Sequence, residues 1–296
     1  MTKIYDVAIV GSGPAALTAA VYLARENHST LVIEKGVTGG LMATIDKVDN
    51  YPGLMGTSGM ELADKFWQQA ESFGVEMKMA EATGFSKNNN VVKITTDDGE
   101  VMAKTLVIAT GNTYRQLEVP GGELVHYCAT CDGPYYKDKR LVVIGGGNSA
   151  LQEAIFLSEF ASHIDLVARG QLTASQILQD ELKKYSDKIS LHSGLKVQEI
   201  AAENNQVKSV KFDKKTLPAD GVFVFIGSLP CSAWLKNSGV ELSGNGYIKT
   251  DQNLMTALPG VFAAGDIRDG SVKQIAVAVG EGALAAHSIR EYLEKL

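Results

Sequence analysis

Two stretches of this chain carry the same pattern of apolar and polar positions. DVAIVGSGPAALTAAVYLA (6–24) and RLVVIGGGNSALQEAIFLS (140–158) each open on an apolar run, turn on glycines, and continue with apolar residues at helical spacing. Each predicts a buried strand, a tight turn and a helix. Both fit G-x-G-x-x-A, as Gly11, Gly13, Ala16 and as Gly145, Gly147, Ala150. One such match is weak; two, each after an apolar strand, are strong. The glycines let the backbone turn sharply and approach a pyrophosphate, whose charge then rests on the helix N-terminus. The small alanines let each helix pack closely on its strand. A tight turn with no ligand is the plainer alternative, and the duplication argues against it.

After the first copy, STLVIEK (29–35) reads as a second parallel strand ending in Glu34, 23 residues past Gly11. That is about where a carboxylate would hydrogen-bond a ribose diol. The same count from Gly145 falls on Ala168, so the second copy keeps the glycine turn without the acid. Between the copies, strands joined at the polar turns NNN and DDG run into the buried LVIAT and Gly111. The second half repeats this layout with KVQEIAAENNQVKSVKF and GVFVFIGS. The tail is a short strand, a turn carrying Asp266, and a long apolar helix beginning near 274. The pattern predicts an α/β chain of two Rossmann-like dinucleotide-binding domains, the second inserted in the first. Residues 1–112 form the first part of one domain, 113–231 the insert with the cysteine pair, and 232–296 the completing part.

Composition sharpens this. The 296 residues are 45% hydrophobic and 21% charged, as in globular proteins, with a net charge of −6. No basic run suggests nucleic acid, and no apolar stretch approaches the ~18 residues of a membrane span. The start, MTKIYDVAIV, has no signal-peptide layout, so a cytoplasmic protein is expected. Of three cysteines, Cys128 and Cys131 stand as C-A-T-C and Cys231 is alone. Such a pair near a βαβ pattern points to thiol–disulfide chemistry before zinc, which usually wants a second ligand pair. No metal is expected. His126 and Tyr127, beside the pair, read as local packing.

GSGPA (11–15), VDNYPG (48–53), ATG (109–111), CATCDG (128–133), GGGNSA (145–150) and PGVFAAGDIRD (259–269) together resemble the low-molecular-weight thioredoxin reductase family over essentially the whole chain. GPYYKDKRLVVIGGGNSALQEAIFLS, with QILQDEL, is also similar to the reductase part of alkyl hydroperoxide reductase flavoproteins. The resemblance implies FAD in the first domain. Gly11, Ser12, Gly13, Pro14 and Ala15 match the pyrophosphate loop, and Glu34, with Lys35 beside it, the ribose contact. Gly40, Asn50 and Ala109 match residues lining the cofactor. Asp266 matches the contact to the ribityl–phosphate region, and Lys273, Gln274 and Ile275 the surroundings of the flavin ring. Leu41 departs from the glutamine frequent in the family. The positive end of the tail helix would favour the anionic reduced flavin.

The same resemblance implies that Cys128 attacks the disulfide of a thioredoxin-like or glutaredoxin-like redoxin while Cys131 lies nearer the flavin. Asp132 is the candidate proton donor and acceptor, with a turn residue as the alternative. A homodimer, and rotation of the inserted domain about linkers near 111–118 and 227–234, are implied too. Gly145, Gly147, Asn148, Ser149, Ala150 and Arg169 are the candidate NAD(P)H contacts. Family members using NADPH carry H-R-R and a later arginine, since guanidinium forks bind a 2′-phosphate bidentately. Here the stretch is Ala168, Arg169, Gly170, with Thr173 at the later position. NADPH or NADH as donor, ferredoxin as donor, a dithiol oxidase and a flavin-binding redox sensor stay open as readings.

Overall fold

The computed structural model describes residues 3–45, 48, 50–127 and 129–296, and of Thr130 and Cys131 the backbone alone. The chain divides into two compact units, one of residues 1–113 with 229–296 and one of residues 114–228.

In the first unit the strands are β1 (Ile4–Val10), β2 (Thr30–Glu34), β3 (Glu76–Met79), β4 (Ala82–Asn88), β5 (Val91–Thr96) and β6 (Gly99–Ile108). They lie in the order β3-β2-β1-β6-β5-β4. β6 is long enough to serve three partners. Met102–Ile108 runs parallel to β1, while on the other edge Gly99–Ala103 pairs antiparallel with β5 and Leu106–Ile108 parallel with the strand Val261–Ala263 near the C-terminus. The tail thus completes the sheet that the N-terminus began. Helices α1 (Pro14–Arg25), α2 (Gly59–Ser72) and the C-terminal helix Ile275–Leu293 belong to this unit. α1 faces the C-terminal helix with alanines, and the fit is close. A Cβ on Gly282 would stand 2.3 Å from the Ala15 carbonyl oxygen.

The chain leaves the first unit along β7 (Asn112–Tyr114). In the second unit follow α3 (Ala129–Asp132), β8 (Arg140–Ile144), α4 (Asn148–Leu157), β9 (His163–Ala168), α5 (Gln176–Leu182), β10 (Ile189–Ser193), β11 (Val197–Glu203), β12 (Gln206–Phe212), β13 (Thr216–Pro218) and β14 (Gly221–Val224). The return is β15 (Ser228–Pro230), and β16 (Val261–Ala263) and α6 (Ile275–Leu293) complete the chain. A parallel sheet β10-β9-β8-β14 packs α4 on one face and the antiparallel β11-β12-β13 on the other. Strands covered on both faces read as unbroken apolar runs, and LVVI and GVFV are buried throughout. Asn204 and Asn205, both at positive φ, make the two-residue turn between β11 and β12. No helix among the described residues is long and apolar enough to cross a membrane.

Candidate functional site

In the first unit β1, β2, β6 and β16 are parallel, so their carboxyl ends, Val10, Glu34, Ile108 and Ala263, share one edge. Ligands of open α/β sheets bind outside that edge. The first glycine turn lies there. Gly11 has φ +105°, and a Cβ on it would stand 2.4 Å from the Ala109 carbonyl oxygen. Only glycine therefore brings β1 and β6 together at this height. Gly13 caps α1 and Pro14 occupies its first turn, leaving the helix N-terminus directed outward from the edge.

Ser12 is buried and links the turn to its surroundings. Its Oγ donates to Glu34 Oε2 at 2.7 Å, and Gly36 N–H donates to Glu34 Oε1 at 2.7 Å. A carboxylate with two such bonds still has lone pairs for a diol. Gly39 N–H donates to the Ser12 carbonyl at 3.0 Å, which brings the 40–44 turn, with Gly40 and half-buried Leu41, against the glycine loop. Lys35 turns away to pair with Glu81 at 2.8 Å. Ala109 is buried under the loop and donates its N–H to the Val10 carbonyl.

The opposite rim comes from the tail. A Cβ on Gly265 would stand 2.9 Å from Ala15 Cβ, so the turn carrying Asp266 abuts the start of α1. Buried Glu281 accepts from Gly265 N–H and from Arg268 Nη2, both at 2.8 Å, and fixes that turn. Burial raises the Asp266 carboxyl above its ordinary value, Lys273 opposes this and Glu281 adds to it. Lys273 Nζ donates to the Asp266 carbonyl at 2.5 Å and lies 4.4 Å from the Tyr247 ring centre. Burial lowers its pKa. Gln274 caps α6 and accepts from Asn50 Nδ2 at 2.9 Å, a contact between residues 224 apart. Ile275 packs against the cluster of Met42, Val48, Leu62 and Ala63. The first turn of α6 carries no acid, so its positive end is uncancelled.

The arrangement suits a dinucleotide. A cradle that a single Cβ would fill meets a helix N-terminus, and a carboxylate stands at the end of the next strand. Two buried polar atoms between Asp266 and Gln274, Arg268 Nε and Ser271 Oγ, have no hydrogen-bond partner. Buried polar groups are normally paired, so this turn is built to meet another polar group.

The second unit holds the other turn. At Gly145 an added Cβ would stand 2.3 Å from the Phe225 carbonyl oxygen and 2.7 Å from Ala150 Cβ. Gly147 caps α4, and Asn148 and Ser149 are exposed in its first turn. The segment after β9 folds back over this turn. Thr173 and Ala174 N–H groups donate to the Gly146 carbonyl at 2.8 and 3.1 Å, and Ser175 N–H donates to Asn148 Oδ1 at 2.8 Å. Arg169 is exposed, and it is the only arginine between Ala168 and Ser175.

Of the cysteine pair, Cys128 lies outside the described residues, and Cys131 is placed by its backbone in α3. Asp132 ends α3 and pairs with His126 Nδ1 at 2.8 Å. His126 Nε2 in turn meets the Tyr136 hydroxyl at 2.7 Å. The sequence reads His126 as local packing, and its ring does lie against Tyr136 and Phe223. Its six-residue separation from Asp132 spans an irregular stretch, so no periodicity could have paired them.

A family model described as pyridine nucleotide-disulphide oxidoreductase matches residues 5–282. The thioredoxin reductase of Bacillus subtilis is 40% identical to this chain, over 99% of this chain and 96% of that protein. The solved thioredoxin reductase of Lactococcus lactis matches with a TM-score of 0.90 at 36% identity, over 99% of this chain and 100% of that one. That of T. acidophilum matches with a TM-score of 0.87 at 36% identity, over 98% of both chains.

Proposed function

The chain belongs to the pyridine nucleotide-disulphide oxidoreductase family and is an oxidoreductase, and from that premise we propose that it is an FAD-dependent reductase of thioredoxin. The observation that carries this is the glycine turn on the carboxyl edge of the first unit's sheet, with the Ser12–Glu34 bond beside it and the Asn50–Gln274 bond at the start of α6. Gly11–Ala15 would hold the pyrophosphate, Glu34 a ribose, Asp266 the ribityl–phosphate region, and Asn50 with Gln274 the flavin ring. FAD, when bound, supplies a two-electron carrier between a donor and a disulfide. The positive end of α6 favours negative charge beside it.

Cys128 and Cys131 cycle between disulfide and dithiol. One thiolate attacks the thioredoxin disulfide, and the other resolves the mixed disulfide and restores the enzyme's own. Asp132, next in sequence to Cys131, handles the protons. The enzyme works in the cytoplasm as a homodimer, which light scattering would read out.

The donor is nominally NAD(P)H, bound on the second unit's glycine turn. Reduction by ferredoxin or another protein donor is the second reading, favoured by a specific observation. The 173–175 backbone satisfies itself on Gly146 and Asn148, and Arg169 is the single arginine in the stretch from Ala168 to Ser175. Missing two phosphate contacts at ~1.5–3 kcal/mol each weakens NADPH binding by about two to four orders of magnitude. An anaerobic titration of the flavin-loaded protein with NADPH, NADH and reduced ferredoxin decides. Bleaching of flavin absorbance by micromolar nicotinamide eliminates the second reading; bleaching by ferredoxin alone eliminates the first. Cys128→Ser or Cys131→Ser should abolish thioredoxin reduction and leave the flavin bound, and persistent turnover would refute the disulfide mechanism.

A further inference from the structure

His126 is held on all sides. Its N–H donates to the Val222 carbonyl and its carbonyl accepts from Val224 N–H, both at 2.8 Å, which pins its backbone alongside β14. Its ring lies 5.0 Å from the Phe223 ring centre and 5.3 Å from that of Tyr136, edge-on to the latter. Both ring nitrogens are engaged, Nδ1 with Asp132 Oδ2 and Nε2 with the Tyr136 hydroxyl.

This arrangement accepts either charge state of the ring. A neutral imidazole with its proton on Nδ1 donates to the Asp132 carboxylate and accepts the Tyr136 hydroxyl proton at Nε2. An imidazolium donates at both nitrogens, and the phenol oxygen, which can donate or accept, rotates to receive. No hydrogen bond is lost between the two states. Burial, then Asp132 and Asp220, raise the pKa of Tyr136, so the phenol keeps its own proton. His126 and Tyr136 also line an open cavity of about 580 Å³, whose other charged lining residues are Glu123, Lys139, Lys208 and Asp220. Water in that cavity can renew a proton.

A ring that keeps both its hydrogen bonds in either charge state can hold the proton that a departing thiolate needs. We propose that His126, braced by Tyr136 and Phe223, positions Asp132 and stores the proton that Asp132 delivers during thiol–disulfide exchange. This rests on the reading that Cys128 and Cys131 cycle. As an enzyme thiolate forms its bond to one substrate sulfur, the substrate S–S bond breaks. Asp132, a carboxylate beside the imidazolium, takes the ring proton and passes it to the departing thiolate, leaving a neutral ring and a carboxylate. Water renews the ring, the second enzyme thiolate displaces the other substrate sulfur, and that sulfur takes a second proton by the same route. Two electrons leave the enzyme dithiol and two protons leave the pair.

The test uses the full, flavin-loaded chain, reduced under argon. Alkylation of Cys128 and Cys131 by iodoacetamide is followed across pH by peptide mass spectrometry, and turnover with an oxidised bacterial thioredoxin is measured in parallel. His126→Asn should move the midpoint of at least one cysteine's profile by about half a pH unit or more. It should lower kcat roughly threefold to tenfold with KM for thioredoxin unchanged, inside the 10²-fold scale of a lost acid–base group. His126→Gln can still donate to Asp132 yet carries no charge, so it should keep the thermal midpoint and show the same profile shift. Tyr136→Phe should shift it in the same direction by less. His126 profiles that superimpose on wild type while Asp132→Asn moves would overturn the inference. So would an Asp132→Asn profile that does not move, since His126 acts through Asp132. Thioredoxin turnover surviving in the serine variants of the cysteines would instead overturn the underlying disulfide mechanism.

Discussion

At Gly11 an added Cβ would stand 2.4 Å from the Ala109 carbonyl oxygen, and at Gly145 it would stand 2.3 Å from that of Phe225. Up to this point the two turns obey one rule, a strand, a glycine pressed on a neighbouring strand, and a helix N-terminus. Beyond it they part. The first turn reaches through Ser12 to Glu34, a carboxylate with capacity left over. The second reaches Ala168, and its polar groups are met by the chain's own 173–175 backbone. The same supersecondary unit can thus be finished toward a ligand or toward itself. What differs is the polar chemistry at the end of the next strand.

The sharpest way to break the comparison is a valine at each first glycine. Gly11→Val meets backbone at 2.4 Å and a disfavoured φ, so flavin absorbance per protein should fall more than about tenfold. Gly145→Val should keep its flavin and lower the thermal midpoint. Equal flavin loss in both would show that the turns are not functionally distinct.

The next effect comes from giving the second turn what it lacks. Gly170 has open space around an added Cβ, so Gly170→Arg with Thr173→Arg should raise apparent NADPH affinity by about 10²-fold in a flavin-bleaching titration. An unchanged titration would mean that the 171–175 fold-back, and not missing charge, limits binding.

Each sheet also carries an acid at its other end. Asp165 in β9 is buried and takes bonds from Arg140 at 2.8 Å and His192 at 2.7 Å, while the more open Asp6 in β1 takes Lys104 and Ser29, both at 2.7 Å. At both, burial pushes the carboxyl up, but the hydrogen bonds outweigh it and the net shift is down. A depressed carboxyl stabilises the fold above its unfolded value of about 3.9, and that stability drains as pH falls through the folded value. Asp165→Asn should cost about 1–3 kcal/mol at pH 7 in urea unfolding, by weakening the charge-assisted bonds to Arg140 and His192, and Asp6→Asn about 1. As pH falls below the unfolded value of about 3.9, both differences should shrink. The smallest effect is expected from Asn148→Ala, which removes the acceptor for Ser175 N–H and should cost about 0.5–1 kcal/mol in the same assay.

Much of the fold was legible because it is written in local periods. The apolar runs that become β1, β2, β8 and β9, the glycines that follow two of them, and the alanine face of α1 all follow from spacing over a few residues. The α/β class followed from the same runs. The branching of β6 was not legible, because a strand's sequence does not say that its two halves take different partners on one edge. Lys35 illustrates the same limit within the site. It sits beside Glu34 in sequence, yet its amine goes to Glu81, 46 residues on. His126 packs against Tyr136 and Phe223 as its sequence reading expects, but nothing in H-Y-C-A-T-C-D says that the chain bends its imidazole back onto Asp132.

By itself the sequence determined the two strand–turn–helix units, the spacing that gives one of them an acid and the other an alanine, and the cysteine pair between them. These are consequences of period, residue size and charge, which act over a turn or a strand. Only the tertiary structure decided that Asn50 meets Gln274, that Gly265 abuts Ala15, that the 173–175 backbone closes on Gly146, and that His126 bridges Asp132 and Tyr136. Those contacts join segments whose approach is set by how sheets and helices pack. A hydrogen bond has a reach of about 3 Å, so a site made of such bonds exists only once the packing has fixed the distances.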